Sequence, residues 1–184
     1  LELWQGLHPR FVASHPMAGT AEAGVEAGQQ GLFRGRPWVA TPSAATDPQA
    51  LALVHGLAQA VGAHWLSCGA AEHDQAVALI SHLPVLVGAA LLQTADRAGA
   101  TGAGDLAGLV RALASSGFAD TSRVGGGNPE LGALMARCNR EPLLVALALY
   151  RQQLEALEQQ VSQGDWLGLR QELDRSQELR PQFL

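Results

Sequence analysis

The sequence contains no lysine; its twelve basic residues are all arginine. That absence removes Schiff-base chemistry and the phosphate-binding P-loop, both of which need a lysine amine. Cysteine is nearly absent too, with only Cys68 and Cys138 present. Two isolated thiols supply neither a disulfide framework nor a zinc site, and they read as buried small residues in a reducing, cytoplasmic compartment. Aromatic residues make up 5% of the chain, so the core must come from closely packed Ala, Leu, Val and Gly. The formal net charge is -5 and no basic stripe appears, which argues against nucleic acid as a partner. The longest apolar run, around "LPVLVGAALL", is shorter than a bilayer requires, and no signal peptide is visible; no membrane partner is expected. No His-x-x-x-His or carboxylate–His pair has metal-ligand spacing, so no metal is expected. The chain opens "LELWQG" without Met, and the expectation is that a segment precedes it.

What is present suffices for a core. Of 184 residues, 47% are apolar, enough for one ordinary domain or two small ones. The first third reads as α/β. "RFVASHP" and "RPWVATPS" are short apolar runs stopped by Pro-containing turns, and "HWLSCGA" is a third strand. Between the last two, "TDPQALALVHGLAQAVGAH" opens with an Asp N-cap and Pro, and Leu53, Val54, Leu57 and Val61 recur at helical spacing. Strand–helix–strand with short links is the signature of a sheet edge in a doubly wound protein.

After residue 70 the texture becomes helical. "AEHDQAVALISHLPVLVGAALLQTADRAG" predicts a long helix kinked at Pro84, and "AGDLAGLVRALASSG" a shorter one ended by Gly117. "FADTSRVGGGNPE" reads as a loop whose glycines permit unusual backbone angles. Asn128 then caps a helix, and two amphipathic helices close the chain. In the first of these, Leu143, Leu144, Leu147, Tyr150, Leu154, Leu157 and Val161 recur at spacings of three and four. Such a stripe fits a two-fold interface with a second copy, or packing within one chain.

Three places could carry chemistry. His15, in "SHPMAGT", follows an apparent strand, where ligands bind in open α/β sheets; it is equally a turn histidine. Arg123 in "DTSRVGGGNPE" could hold a carboxylate with its guanidinium and nearby backbone N–H groups, or be a solvated loop arginine. His73 and His82 stand nine residues apart, on roughly opposite sides of a straight helix, so they cannot share one metal.

"SHPMAGT", "ISHLPVLVGAAL" and "DTSRVGGGNPEL", in this order, resemble the prephenate/arogenate dehydrogenase family of tyrosine biosynthesis, and within it the cyanobacterial arogenate dehydrogenases. The resemblance covers essentially the whole chain. It implies the α/β edge of a Rossmann-type nucleotide-binding domain in residues 1–70, then an all-α substrate-binding and dimerisation domain in residues 71–184. The G-x-G-x-x-G phosphate loop that opens the family's nucleotide domain does not occur in this sequence.

The implied activity is oxidative decarboxylation of arogenate to tyrosine, with hydride passing to NADP, or to NAD, in a cytoplasmic homodimer joined through the helical domain. By the same resemblance His15 is the catalytic histidine that accepts the proton of the substrate's ring hydroxyl. Ser14, Thr20, Arg123 and Gly127 contact substrate, with Arg123 on a carboxylate, and Pro16 and Met17 lie beside the cofactor. Two positions depart from the family pattern. Many prephenate-using relatives read Ser-His-Leu-Pro-His where this chain has Val85 last, and Gly132 replaces an aromatic residue. The lost polar contact at Val85 favours arogenate over prephenate, and His82 reads as structural. The alternatives are a prephenate or cyclohexadienyl dehydrogenase of relaxed specificity, or a non-catalytic helical dimerisation or ligand-sensing module.

Overall fold

The computed structural model describes residues 4, 7–19, 24, 26, 28–101 and 105–183. Three short strands form one sheet in the order β1-β2-β3. Strand β1 (Ser14–Pro16) runs antiparallel to β2 (Pro37–Ala40), with His15 opposite Val39. Strand β3 (His64–Ser67) runs parallel to β2. Helix α1 (Pro48–Ala60) makes the crossover between them. Asp47 starts it, its carboxylate accepting the Gln49 and Ala50 N–H groups, with Pro48 in the first turn. Gly62, at φ +76, turns the chain out of α1 and back toward β3. Ala50 and Ala58 are the buried residues of α1, and these small side chains, with Ala40 and Trp38 of β2, make the core of this part. The α/β sheet edge and the helical remainder are both present.

The next helix, expected to be disturbed at Pro84, carries a π-turn just before it. Helix α2 (Ala70–Val77), a π-helical turn (Ala78–His82) and α3 (Leu83–Thr101) follow without a break. The cause is Pro84, which has no N–H for the carbonyl one turn earlier and whose ring would press on that carbonyl. The chain widens just before it, and the Leu83 N–H reaches back to the Ala78 carbonyl. This continuity also corrects the reading of the apolar run. The helix spans 31 residues, Ala70–Ala100, and by length and composition alone it could cross a membrane. Only 22% of its most apolar window is buried, so much of its apolar surface is uncovered within the chain.

Helix α4 (Leu106–Leu113) is capped by Asp105 and stops where Ala114 turns extended, before Gly117. Gly117 lies inside α5 (Ser116–Ser122), and Arg123–Gly126 forms a 3-10 turn, so most of the expected loop is helical. None of Gly125, Gly126 and Gly127 has positive φ. Close approach is what selects glycine here. A Cβ on Gly88 of α3 would meet Gly125 N at 2.9 Å, and one on Gly125 would collide with the backbone of Gly88 and Ala89. Helix α6 (Pro129–Cys138) follows, capped by Asn128 as expected. The cysteines are less buried than their composition suggested: Cys68 is half-buried and Cys138 exposed.

The chain packs as two compact units, Leu1–Arg140 and Glu141–Leu184. The second contains nearly all of α7 (Arg140–Gln163) and α8 (Trp166–Leu179), the latter capped by Asp165. In α7, Leu143 is buried while Leu144, Tyr150, Leu154 and Val161 of the expected stripe are exposed.

Candidate active site

His15 sits in the middle of β1, within a strand and not after one. Because β1 is antiparallel to its neighbour, the carboxyl ends of β2 and β3 flank the site, and these are where an open α/β sheet presents ligands. Ser14 and His15 of β1, Thr41 just beyond β2, and His73 and Asp74 of α2 line a pocket of about 230 Å³. Helix α2 leaves the end of β3 directly. Gly69 begins it, donating its N–H to Glu72 Oε2 at 2.8 Å, and one turn later the helix delivers His73 to β1.

His15 Nδ1 lies 3.0 Å from His73 Nε2, the two rings meeting edge-on. His73 Nδ1 in turn lies 3.0 Å from Asp74 Oδ1. Burial lowers the His15 pKa below its ordinary 6.5, and positive charge on His73 or His82 would lower it further. Burial likewise lowers the pKa of His82, opposed by the Asp74 carboxylate and reinforced by His73. Both rings are therefore neutral at neutral pH, where an imidazole can accept a proton.

The straight-helix spacing expected for His73 and His82 does not apply as it stands, because of the π-turn Ala78–His82. Its wider winding takes back roughly a quarter turn over the intervening residues. Positive charge on His73 lowers the His82 pKa across this turn. Asn139, buried at the end of α6, fixes this arrangement. Its Nδ2 donates to the Asp74 carbonyl at 2.7 Å and lies 3.2 Å from His82 Nδ1. One buried amide thus ties α6 to α2 and to the π-turn.

Other expected residues stand as follows. Ser14 lines the pocket. Pro16 and Met17 continue the strand from His15, Met17 donating its N–H to the Pro37 carbonyl at 2.8 Å. Thr20 lies outside the described residues. Arg123 and Gly127 are exposed and are not among the residues lining the His15 pocket. The two departures from the family pattern are neighbours, since a Cβ on Gly132 would lie 3.6 Å from Val85 Cγ1. Sequence reasoning missed Asp74, Thr41 and Asn139, and it met His73 only as half of an unworkable metal pair. A larger hollow of about 500 Å³ is lined by apolar residues of α3, α4 and α5, such as Leu92, Val110 and Phe118. Its charged groups, Asp96 and Arg111, bond to each other at 2.8 Å. The hollow's one carboxylate is thus paired with an arginine, whereas the smaller pocket holds two histidines beside Asp74.

Residues 2–67 match the prephenate dehydrogenase nucleotide-binding domain, and residues 69–175 the prephenate dehydrogenase dimerization domain. Among curated proteins, the chain is 29% identical to a prephenate dehydrogenase of Bacillus subtilis, over 85% of this chain and 41% of that protein. Among solved structures, Synechocystis arogenate dehydrogenase is 43% identical with a TM-score of 0.83, covering 100% of this chain and 63% of that one. Aquifex aeolicus prephenate dehydrogenase in complex with hydroxyphenyl propionate and NAD+ is 27% identical with a TM-score of 0.88, covering 100% and 62%. The chain thus spans less than two thirds of the length of these relatives.

Proposed function

We propose that this chain, which belongs to the prephenate dehydrogenase family, carries the catalytic base and the helical domain of an NADP-dependent arogenate dehydrogenase. The observation that carries the reading is His15 itself: a neutral imidazole, bonded to His73, in a pocket at the carboxyl ends of two parallel strands. A neutral ring can withdraw the proton of the substrate's ring hydroxyl, which strengthens the adjacent carbon as a hydride donor. Loss of the ring carboxylate as carbon dioxide then makes the ring aromatic. Ser14 lines the same pocket and is assigned to the substrate with Thr20, Gly127 and Arg123, the last holding a carboxylate.

The parallel β2–α1–β3 unit fits a dinucleotide, since such units bind one beyond their carboxyl ends. Pro16, the last residue of β1, and Met17 just beyond it are the residues assigned to hold it. When bound, the nicotinamide supplies the hydride acceptor. The assignment of NADP over NAD rests on the resemblance. The boundary assigned between the nucleotide and helical domains, near residue 70, rests on the sequence, and the change there from β3 to α2 supports it.

Arogenate is preferred over prephenate because Val85, packed toward Gly132, offers no hydrogen bond. The homodimer reading rests on uncovered apolar surface. The long helix is poorly covered, Leu144, Leu154 and Val161 are exposed, and the hollow beside α3 is apolar. Sedimentation of the full-length protein at low micromolar concentration should give a dimer, and a stable folded monomer would overturn that part. In the same protein, His15→Asn should preserve the fold and substrate binding while lowering turnover by about 10²–10⁴-fold. Turnover within a factor of a few of the parent would remove His15 from the chemistry.

A further inference from the structure

His15 has two ring nitrogens, and only one can be the base. Resting on the reading above, we infer that the Asp74–His73 pair holds His15 in the tautomer with hydrogen on Nδ1 and a bare Nε2, which makes His73 a positioning residue for the reaction. The assignment follows from donors and acceptors. An ionised carboxylate can only accept, so the 3.0 Å contact between Asp74 Oδ1 and His73 Nδ1 places a hydrogen on His73 Nδ1. In neutral His73 the other nitrogen, Nε2, is then bare and must accept. The only hydrogen available to the 3.0 Å contact with His15 is the one on His15 Nδ1. Nε2 of His15 is left with its lone pair free.

The same chain makes the arrangement sensitive to protonation. A proton added to His73 would turn Nε2 into a donor. His15 Nδ1 would then accept, its hydrogen would move to Nε2, and the base would be lost. The groups facing the two rings include Ser14 beside His15 on β1, Thr41 beyond β2, Asp74 on α2 and His82 on the π-turn. Asn139 secures the last two from α6. His82 takes no part in the chain, because its Nδ1 faces the Asn139 amide. The order of residues from carboxylate to base follows the logic by which an acidic group orients a catalytic imidazole, here with one more ring between them.

The test uses the full-length protein labelled with nitrogen-15 at histidine. Near neutral pH, His15 should show an unprotonated Nε2 and a protonated Nδ1, with His73 protonated at Nδ1. His73→Leu removes the acceptor, so His15 should lose that single tautomer. Turnover should fall about tenfold or more, while KM stays within about twofold. His73→Gln offers a carbonyl oxygen to His15 Nδ1 and should recover most of the loss. The inference is overturned if His15 carries its hydrogen on Nε2 in the parent protein. It is overturned equally if His73→Leu leaves tautomer and turnover unchanged, or if His73→Leu unfolds and folded His73→Gln shows a mixed tautomer. Each of these results leaves the role of His15 standing, whereas full activity of His15→Asn would remove that role without touching the tautomer measurement.

Discussion

The neighbourhood of His15 and the segment Arg123–Gly127 are both marked by sequence motifs, and they are built in opposite ways. His15 is held by polar contacts that cross long sequence distances: 58 residues to His73 and, from the same helix turn, 65 residues between Asp74 and Asn139. Arg123 is held by shape. Its 3-10 turn rests on α3 through the Gly88–Gly125 backbone contact, and its guanidinium stands exposed. A hydrogen-bonded constellation fixes which atom carries a proton. A glycine contact fixes only where a backbone lies, leaving the side chain free to meet a ligand. The first suits a base and the second suits a binding arm.

The largest effect that would sharpen this contrast is on binding. Removing a charge-assisted contact to a buried carboxylate costs roughly 2–5 kcal/mol. Arg123→Ala in the full-length enzyme should therefore raise KM for substrate strongly, leaving cofactor affinity and the unfolding midpoint nearly unchanged. Initial rates with varied substrate and cofactor check it, and equal weakening of both ligands would mean the loop had collapsed. Next comes the contact beneath it. Gly125→Ala forces a Cβ into the Gly88–Ala89 backbone, and such overpacking costs about 3 kcal/mol at the upper end of its usual range. Urea unfolding should show that loss directly. The two variants should thus separate, one losing binding without stability and the other losing stability first.

The contrast also explains what could be read in advance. Asp47 with Pro48, Asn128 with Pro129, and the apolar periodicities are local signals, and α1 and α6 follow from them. The three motifs were legible as a resemblance, and the family domains match on either side of residue 68. Nothing local announced that His73 would meet His15, because that pairing depends on how β1 and α2 leave a common sheet end. The π-turn was half visible. Pro84 marks a disturbed helix, but a kink and a widened turn have the same sequence cause. The glycines of "RVGGG" were misassigned for a related reason. Glycine serves unusual φ and close packing alike, and only the approach of Gly88 decides between them.

A smaller effect is expected at Asn139. Its amide satisfies the Asp74 carbonyl and faces His82 from a buried position. Asn139→Ala removes the amide facing His82 Nδ1 and the second donor to the Asp74 carbonyl, which the Ala78 N–H still reaches; leaving one buried acceptor unsatisfied typically costs about 1–3 kcal/mol. Thermal or urea unfolding reads the loss. If the π-turn geometry depends on this tie, the His82 ring should also change its chemical environment in the histidine nitrogen-15 spectrum.

The smallest effect concerns pH, and its sign follows from the lowered pKa values of His15 and His82. In the unfolded chain both rings take up protons near the ordinary value of 6.5. In the folded protein burial makes them refuse protons until lower pH. Above 6.5 neither state binds the proton and stability is unaffected. Below it the unfolded chain binds more protons, so stability declines as pH falls, levelling once the folded rings protonate. Both rings are partly solvated, which keeps the change modest. Urea midpoints measured from about pH 7.5 down to about pH 5 should fall, and His15→Asn should flatten part of that slope. The acid limb of kcat/KM should lie below 6.5 for the same reason, since the base stays neutral to lower pH than a free histidine. A midpoint that rises on acidification through this range would contradict the lowered pKa values of these rings.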